Sequence, residues 1–590
     1  MENQKIDEEL DLVVVGGGIG GICALKTYLT VNPSSSAALL DNRVSLGGVW
    51  ARERLYTGIK TNNVLGGYEF SDFAMDGKKF NVGYDQHIPG EVVHEYLEAY
   101  CEKFGLGEYI RLGQMVESIA RDDSNSSGDN DGNSSWVVQV KNDKTTTNIR
   151  TKKLIMATGL TSQPYMPKIN GQESFQRPLF HFVDLKAHQP ELLNDENQRI
   201  TVFGSAKSAF DAAYLLADSG LSVDMIIRAS GHGPAHMAPP RVTPLKKLIE
   251  RLVNVRLLTW FSPCIWGGEA DGYSLIRRAL HGTWLGRKIV DGFWWILGND
   301  MKTLNSYDAH PETAKLKPWV STMWIASGLG IFNYDGDVLD MVRRGKIKVH
   351  IADIDFLSEG QVHLSNGQNL PSDAMVCCTG WDARPNIKFL PDGVETQLGL
   401  PTSLDSLPQE TLQNADAHVL NQLPRLKDQP KNSNQQLDLK SEGSSSYRPL
   451  RLYRFMVPCS PHLASSRSIV FVGMAMTVST MMITQAQALW AVAYLNDTLD
   501  LPTQTDMQWA TALHTQFCKL RYGVGANGKR VPDFVFDAVP YIDMLLNDLG
   551  LSGKRKESRL KEWFEPYVVG DYKGIVEEYL QKMKADKKHV

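Results

Sequence analysis

Residues Asp11–Leu29 read DLVVVGGGIGGICALKTYL, and this stretch decides the fold. The apolar run Leu12–Val15 predicts a buried strand, and Gly16-x-Gly18-x-x-Gly21 follows it at the opening of a helix. In that context Gly16 makes a tight turn, Gly18 lets the backbone approach a pyrophosphate, and Gly21 lets helix and strand pack closely. The helix N-terminus adds a field that favours phosphate. Asp41 closes a second apolar run, SAALLD, 20 residues beyond Gly21. A carboxylate there can hold a ribose hydroxyl pair and repels a 2′-phosphate, which fits FAD or NAD and not NADP.

The same grammar recurs at Arg199–Gly220, RITVFGSAKSAFDAAYLLADSG. Gly204, Ser205 and Ser208 form the turn, Ala206 stands where a second Gly is usual, and Lys207 can offset phosphate charge. Arg228 ends the next predicted strand, SVDMIIR, at the place Asp41 holds in the first unit. A guanidinium there suits a 2′-phosphate. Strands alternating with helices imply parallel sheets, so the expected fold is α/β with two Rossmann-like dinucleotide-binding domains, for FAD and NADPH. The expected boundaries are 1–165 for the first part of the FAD domain, 166–374 for the NADPH domain, and 375–590 for the second part of the FAD domain with a helical extension.

Composition agrees with an enzyme. The 590 residues are 42% hydrophobic and 22% charged, with a formal net charge of −5, which leaves no basic surface for nucleic acid. Seven Cys without a CxxC or a Cys/His ligand spacing point to a reducing, cytoplasmic setting, to no metal site, and against a redox-active disulfide. The N-terminus is acidic and lacks a signal-peptide pattern. Ser468–Asn496 is uncharged and long enough to span a bilayer, but its polar content splits it into a strand, SIVFVG, and a helix, TMMITQAQALWAVAYL.

Two polar segments read as disordered: Asp122–Ser135, an overgrown hairpin loop, and a Ser-rich stretch at about 427–447. A helical, Trp-rich insertion is expected at about 236–317. Ordinary core, a cap over an active site, and a patch resting on a membrane surface would each use its residues.

After Asp41 comes Gly47-Gly48-x-Trp50, and three further strands end in small-residue turns: LIMATG with Thr158 and Gly159, MVCCTGW with Thr379 and Gly380, and IVFVGM with Gly473. In this order, with the two dinucleotide units, the chain resembles the class B flavin-containing monooxygenases, and its C-terminal VPDFVFDAVPYIDMLLNDLG is similar to the longer fungal members. The resemblance implies FAD held by Gly16, Gly18, Gly21, Asp41, Gly48, Trp50, Val116, Thr158, Gly159, Thr379, Gly380 and Gly473. It also implies NADPH held by Gly204, Ser205, Lys207, Ser208 and Arg228. In that family NADPH reduces the flavin, the flavin adds O2, and the peroxyflavin oxygenates a small molecule, as in fungal secondary metabolism. The family's linker fingerprint is present as Phe175 and His181 in FQRPLFHFVDL, with Arg177 and Leu185 off pattern.

Thr57–Phe73, TGIKTNNVLGGYEFSDF, carries no hydrophobic period and reads locally as a loop. By the resemblance it faces the flavin. Asn62, eight residues before Phe70 of FSDF, matches an Asn that N- and S-oxidising members place near flavin and NADP, which makes Asn62 a candidate for both catalysis and cofactor binding. A neutral amide donates a hydrogen bond without favouring a peroxide anion, so oxygenation at N, S or an electron-rich carbon is expected. Lys60 keeps a Baeyer–Villiger reading open, and the off-pattern Ala206, Arg177 and Leu185 keep open an FAD oxidase or cyclase with a degenerate NADPH site. An apolar or aromatic substrate is expected from the Trp-rich region.

Overall fold

The computed structural model describes residues 5–122, 135–194, 198–243, 246–382, 384–430, 449–524 and 530–589. The opening apolar run is the central strand, Glu8–Val15, of an eight-stranded sheet. It pairs in parallel with Ala37–Leu40 on one side and with Thr146–Met156 on the other. Ile110–Arg111 and Ile469–Phe471 extend the parallel part at either side. Leu12, Val13 and Val14 are fully buried, as a parallel strand covered on both faces requires. The helices Ile19–Val31 and Thr480–Leu495 pack against each other beside it. The second of these spans the residues its pattern predicts and is buried on every face. Among the described residues no helix is long and apolar enough to cross a membrane.

The N-terminal part of Thr146–Met156 turns outward into an antiparallel meander with Ser135–Lys141 and Met115–Asp122. Asp122 faces Ser135 at the closed end of this hairpin, and the polar loop expected between them lies at 123–134, outside the described residues. Of the Ser-rich stretch, the first residues are ordered. Lys427 and Asp428 close a 3-10 helix, Pro424–Asp428, and Gln429 Nε2 donates to the carbonyls of Lys519 (3.0 Å) and Leu520 (2.8 Å). The remainder, from 431, lies outside the described residues.

The second sheet is five-stranded and parallel, in the order Leu179–His181, Ala374–Cys377, Arg199–Phe203, Ser222–Ile227, Ile347–Ile351. The chain beyond residue 374, expected to rejoin the first domain at 375, thus still belongs to the second sheet through Cys377. After a short pairing of Trp381–Asp382 with Gln163–Pro164, the strand Lys388–Leu390 pairs with Met115–Asp122 of the first sheet.

Between Ser222–Ile227 and Ile347–Ile351 the chain builds helices that include Gly267–Asp271, Ser274–Gly282 and Trp284–Leu304. Core packing claims Trp260, Trp266 and Trp294, while Trp284 and Trp295 stand exposed. This region is tied to the C-terminal extension by the fully buried Arg256. Its guanidinium pairs with both carboxylate oxygens of Asp543 and with Glu562 (2.6 Å), and it donates to the Tyr567 hydroxyl (3.0 Å) and the Gly553 carbonyl (3.3 Å). Burial pushes the Asp543 carboxyl up to about 6, with Arg256 acting against that rise.

Removing one partner of such a cluster strands the others as uncompensated buried charge. Arg256→Ala is therefore expected to cost about 3–5 kcal/mol of stability, measured by chemical denaturation, with part recovered in Arg256→Lys. A loss below about 1 kcal/mol would show that the two carboxylates reach water once the Arg is gone.

Candidate active site at the junction of two dinucleotide turns

The first glycine turn leaves no room for side chains where chain crosses chain. Gly16 sits at φ +114°, and a Cβ on it would lie 2.4 Å from the Ala157 carbonyl oxygen; one on Gly21 would lie 1.8 Å from the Gly16 carbonyl oxygen. Gly18 caps the helix Ile19–Val31 without a side-chain bond, and no acid occupies the first turn, so its leading N–H groups stay available to phosphate. The Gly47–Gly48 turn rests directly on this one: Gly47 N donates to Gly17 O at 2.9 Å, and a Cβ on Gly48 would come within 3.0 Å of Gly18 Cα. Asp41 accepts from Gly17 N (2.5 Å) and Arg43 N (2.8 Å), with desolvation raising its pKa. Thr158 follows Ala157 at the same crossing, and its hydroxyl is buried without a hydrogen-bond partner among the described residues. A cradle closed to Cβ atoms, an open helix start, a strand-end carboxylate and an orphaned hydroxyl together fit a dinucleotide such as FAD.

The other residues expected to hold FAD are spread over several strands and turns. Trp50 is buried, donates from Nε1 to the Tyr68 hydroxyl (2.9 Å), and lies edge-on to that ring. Gly159, Gly380 and Gly473 all adopt positive φ. Thr379 is pinned to the Tyr165 carbonyl at 2.6 Å, and Gly473 N donates to Gln487 Oε1 at 3.0 Å. Val116 is packed in the core of the first sheet.

The second turn repeats the design. Gly204 has φ +151° and would place a Cβ 2.5 Å from the Cys378 carbonyl oxygen. Ala206 caps the helix Lys207–Asp218, again with no side-chain cap and no acid in the first turn. Its exposed methyl explains how Ala substitutes for Gly at this position. Arg228 is exposed at the end of its strand and makes no ion pair or hydrogen bond through its side chain among the described residues, which leaves its guanidinium available to a 2′-phosphate. Ser205 accepts from Ala235 N (2.8 Å) through its carbonyl, and Ser208 lies half-buried on the helix's first turn. Lys207 reaches elsewhere: it pairs with Asp211 and donates to Asn333 Oδ1 (2.9 Å) and the Tyr334 hydroxyl (3.2 Å).

Thr57–Phe73 contains a strand, Lys60–Val64, where local composition predicts only a loop. It pairs with His87–Pro89, but only Lys60 and Val64 are in register, and Asn62 and Asn63 occupy the irregular stretch between. An irregular strand shows neither a period nor a turn signature, which is why sequence alone misses it. The two asparagines diverge. Asn63 is buried and donates from Nδ2 to the Glu250 carboxylate, whose other oxygen accepts from Val64 N at 3.2 Å. Asn62 is half-buried, and its amide makes no hydrogen bond among the described residues. Lys60 is held by Asp335 at 2.5 Å. Asn333 Nδ2 donates to the carbonyls of Lys60 (3.1 Å) and Thr61 (3.0 Å), so Lys207, on the second dinucleotide turn, and the Asn62 strand share one connecting side chain.

The linker histidine is also committed. His181 Nδ1 accepts from Val183 N (3.1 Å), which leaves Nε2 to donate to Gly380 O (2.9 Å), and its ring stands edge-on to Trp381. Burial lowers its pKa; the neutral ring joins the strand Leu179–His181 to the Thr379–Gly380 turn. Phe175 and Leu185 are core residues and Arg177 is exposed. Sequence reasoning does not find Glu250, Asn333 or Tyr334, because each acts on residues more than a hundred positions away, whereas Asp211 is visible in the second unit four residues after Lys207 without its claim on that ammonium being read. Only the acid on the apolar face of LIERL carries a signal, and a weak one.

The family described as pyridine nucleotide-disulphide oxidoreductase matches residues 13–256, from within the first strand to Arg256. The FAD-dependent monooxygenase rstn6 of Aspergillus nomiae is 34% identical over 97% of this chain and 98% of its own length. The chain belongs to the FAD-dependent monooxygenases. A second relative, the FAD-dependent monooxygenase resA of Aspergillus sclerotiorum, is 33% identical over 98% of this chain and 99% of its own. The fold matches the open crystal structure of cyclohexanone monooxygenase with a TM-score of 0.59 at 15% identity, covering 92% of this chain and 98% of that one. In this monooxygenase all seven cysteines are buried and free. Burial pushes the Cys377 thiol up to about 12, so the Cys377–Cys378 pair is unreactive packing.

Desolvation raises the pKa of Glu250 above its ordinary 4.5, offset in part by the bonds from Val64 and Asn63. A carboxyl of this kind binds more protons folded than unfolded, so its contribution to stability is complete below the unfolded value and is lost as pH rises through the folded one. Glu250→Gln is thus expected to gain stability relative to wild type as pH rises from 4.5 toward neutrality. Denaturation of the pair across that range measures it; a constant difference would contradict the assignment.

Proposed function

We propose that this FAD-dependent monooxygenase takes electrons from NADPH and transfers one oxygen atom of O2 to N, S or an electron-rich carbon of a small apolar or aromatic molecule. The balanced reaction consumes substrate, O2, NADPH and a proton, and yields the oxygenated product, NADP⁺ and water. Bound FAD would supply the two-electron and oxygen chemistry, held by the Gly16–Gly21 turn, Gly48, Asp41 and Thr158. NADPH would lie on the Gly204–Ser208 turn with Arg228 at its 2′-phosphate. The bond of Asn333 to both Lys207 and the Lys60–Val64 strand supports a shared site, because it links the second dinucleotide turn to the strand that carries Asn62.

The observation that carries the choice of chemistry is the state of the two lysines joined to the Asn62 strand, Lys60 on it and Lys207 through Asn333. Lys60 is paired with Asp335 and Lys207 with Asp211, so neither ammonium is left to stabilise an anionic oxygen nucleophile. The Asn62 amide, without a hydrogen-bond partner among the described residues, is a neutral donor. A neutral donor orients an oxygen without lowering its proton affinity as a cation would, which suits an electrophilic oxygen donor.

Purified FAD-loaded enzyme with NADPH under air is expected to convert a simple aryl thioether to its sulfoxide and to leave a cyclic ketone unchanged; lactone without sulfoxide would overturn the reading in favour of Baeyer–Villiger chemistry. If NADPH fails to bleach the flavin anaerobically, the electron source is wrong. Arg228→Ala should raise KM for NADPH about 10- to 100-fold, the loss of one charge-assisted contact, with KM for NADH unchanged. Asn62→Ala should lower sulfoxide formation about 100-fold, in the range of removing one oriented donor, while NADPH is still consumed.

A further inference from the structure

The helix Trp284–Leu304 has 21 residues and a length of roughly 30 Å. Its inner face, Gly286, Val290, Trp294, Gly298 and Met301, is buried in the protein. A surface helix so anchored ordinarily turns polar side chains outward. Here, over residues 284–296, the outward face carries large apolar side chains as well: Trp284 is 69% exposed, Leu285 62%, Trp295 68% and Ile296 60%, with Ile289 between them at 50%. Ile289 follows Leu285 by four residues and Ile296 follows Ile289 by seven, and Trp295 follows Trp284 by eleven, helical intervals that keep them on one side. Gly292, on the same side, has open space around the place of its Cβ, so nothing among the described residues packs on the middle of the stripe at that point.

The charges on this helix and its neighbour are sorted. The acids are engaged: Asp291 pairs with Arg425 at 2.9 Å, and Asp300 accepts from Thr243. The exposed charged side chains, Arg278 and Lys288, are both basic and make no ion pair among the described residues. Arg278 lies on the preceding helix, Ser274–Gly282, where Leu275 also stands exposed. Apolar side chains with tryptophans at both ends of the stripe, unpaired bases beside them and acids already engaged by protein partners complement an anionic lipid surface: the rings and aliphatic chains enter the headgroup boundary and the bases meet its phosphates. A protein partner or a second copy would match the apolar stripe but gives no reason for the one-signed charge.

We propose that this face is a monotopic membrane-docking surface, on which the helix Trp284–Leu304 lies in the plane of an anionic lipid headgroup layer without crossing it. Attachment to lipid is independent of which atom the enzyme oxygenates.

The test is flotation of the full-length FAD-loaded enzyme with vesicles of phosphatidylcholine alone or containing about one third phosphatidylserine. Wild type is expected to float with the anionic vesicles, to release in high salt, and to show a blue shift of tryptophan emission on binding. Trp284→Gln/Trp295→Gln should reduce partitioning at least about tenfold, and Arg278→Glu/Lys288→Glu should remove the preference for anionic vesicles. Both variants alter exposed residues away from the dinucleotide turns, so FAD content and NADPH oxidation should match wild type and separate a docking defect from misfolding. Absence of flotation with either vesicle, equal binding to neutral and anionic vesicles, or a concentration-dependent dimer abolished by the tryptophan variant would each overturn the proposal.

Discussion

The close approach of backbone to backbone at the first glycine turn governs the rest of this structure. Gly21 lies over the Gly16 carbonyl at a separation that no side chain permits, and Gly16 itself abuts the end of the Thr146–Met156 strand. That contact sets where the helix Ile19–Val31 begins, so its unsatisfied N–H groups point to the end of the sheet. Gly47 then bonds to Gly17, bringing the chain across the cradle before it continues to the Asn62 strand. Each later element near the site is placed relative to that crossing, and the second turn, with Gly204 against the Cys378 carbonyl, applies the same constraint to the second sheet.

Between the turns the protein relies on side chains, and there charge and burial decide the geometry. Glu250 enters the interior because Asn63 and Val64 supply donors for both of its oxygens; without them its carboxylate would lack compensation for desolvation. The carboxylate thereby fixes Asn63 on one side of an irregular strand and leaves Asn62 on the other. Lys207, which the glycine-turn pattern assigns to phosphate, is drawn instead to Asp211 one helical turn on, since a paired ammonium in a half-buried site is favoured over an unpaired one.

What was legible in the sequence follows from the range of the forces involved. The strand Glu8–Val15, the second unit from Arg199, and the helix Thr480–Leu495 were readable because apolar period and glycine spacing act within a dozen residues. The Asn62 segment was not readable as a strand, because its pairing is irregular and its partners, His87–Pro89 and Asn333, are contributed from elsewhere. The Trp-rich region could be recognised as helical, yet its orientation could not: with apolar residues on both faces, the sequence does not say which tryptophans enter the core. Arg256 carried no motif at all, and its meaning lies in acids near the other end of the chain.

That last distance has a consequence for how the protein is made. Arg256 is separated by 287 residues from Asp543 and by 306 from Glu562 in the sequence. During synthesis the first sheet's leading strands and the second sheet's turn emerge long before these acids do, and a guanidinium cannot leave water until its counter-charges arrive. The segment around Arg256 therefore stays solvated until translation has nearly ended. Closure of the insertion against the C-terminal extension cannot precede the synthesis of Asp543 and Glu562, although the residues of both glycine turns are in place long before.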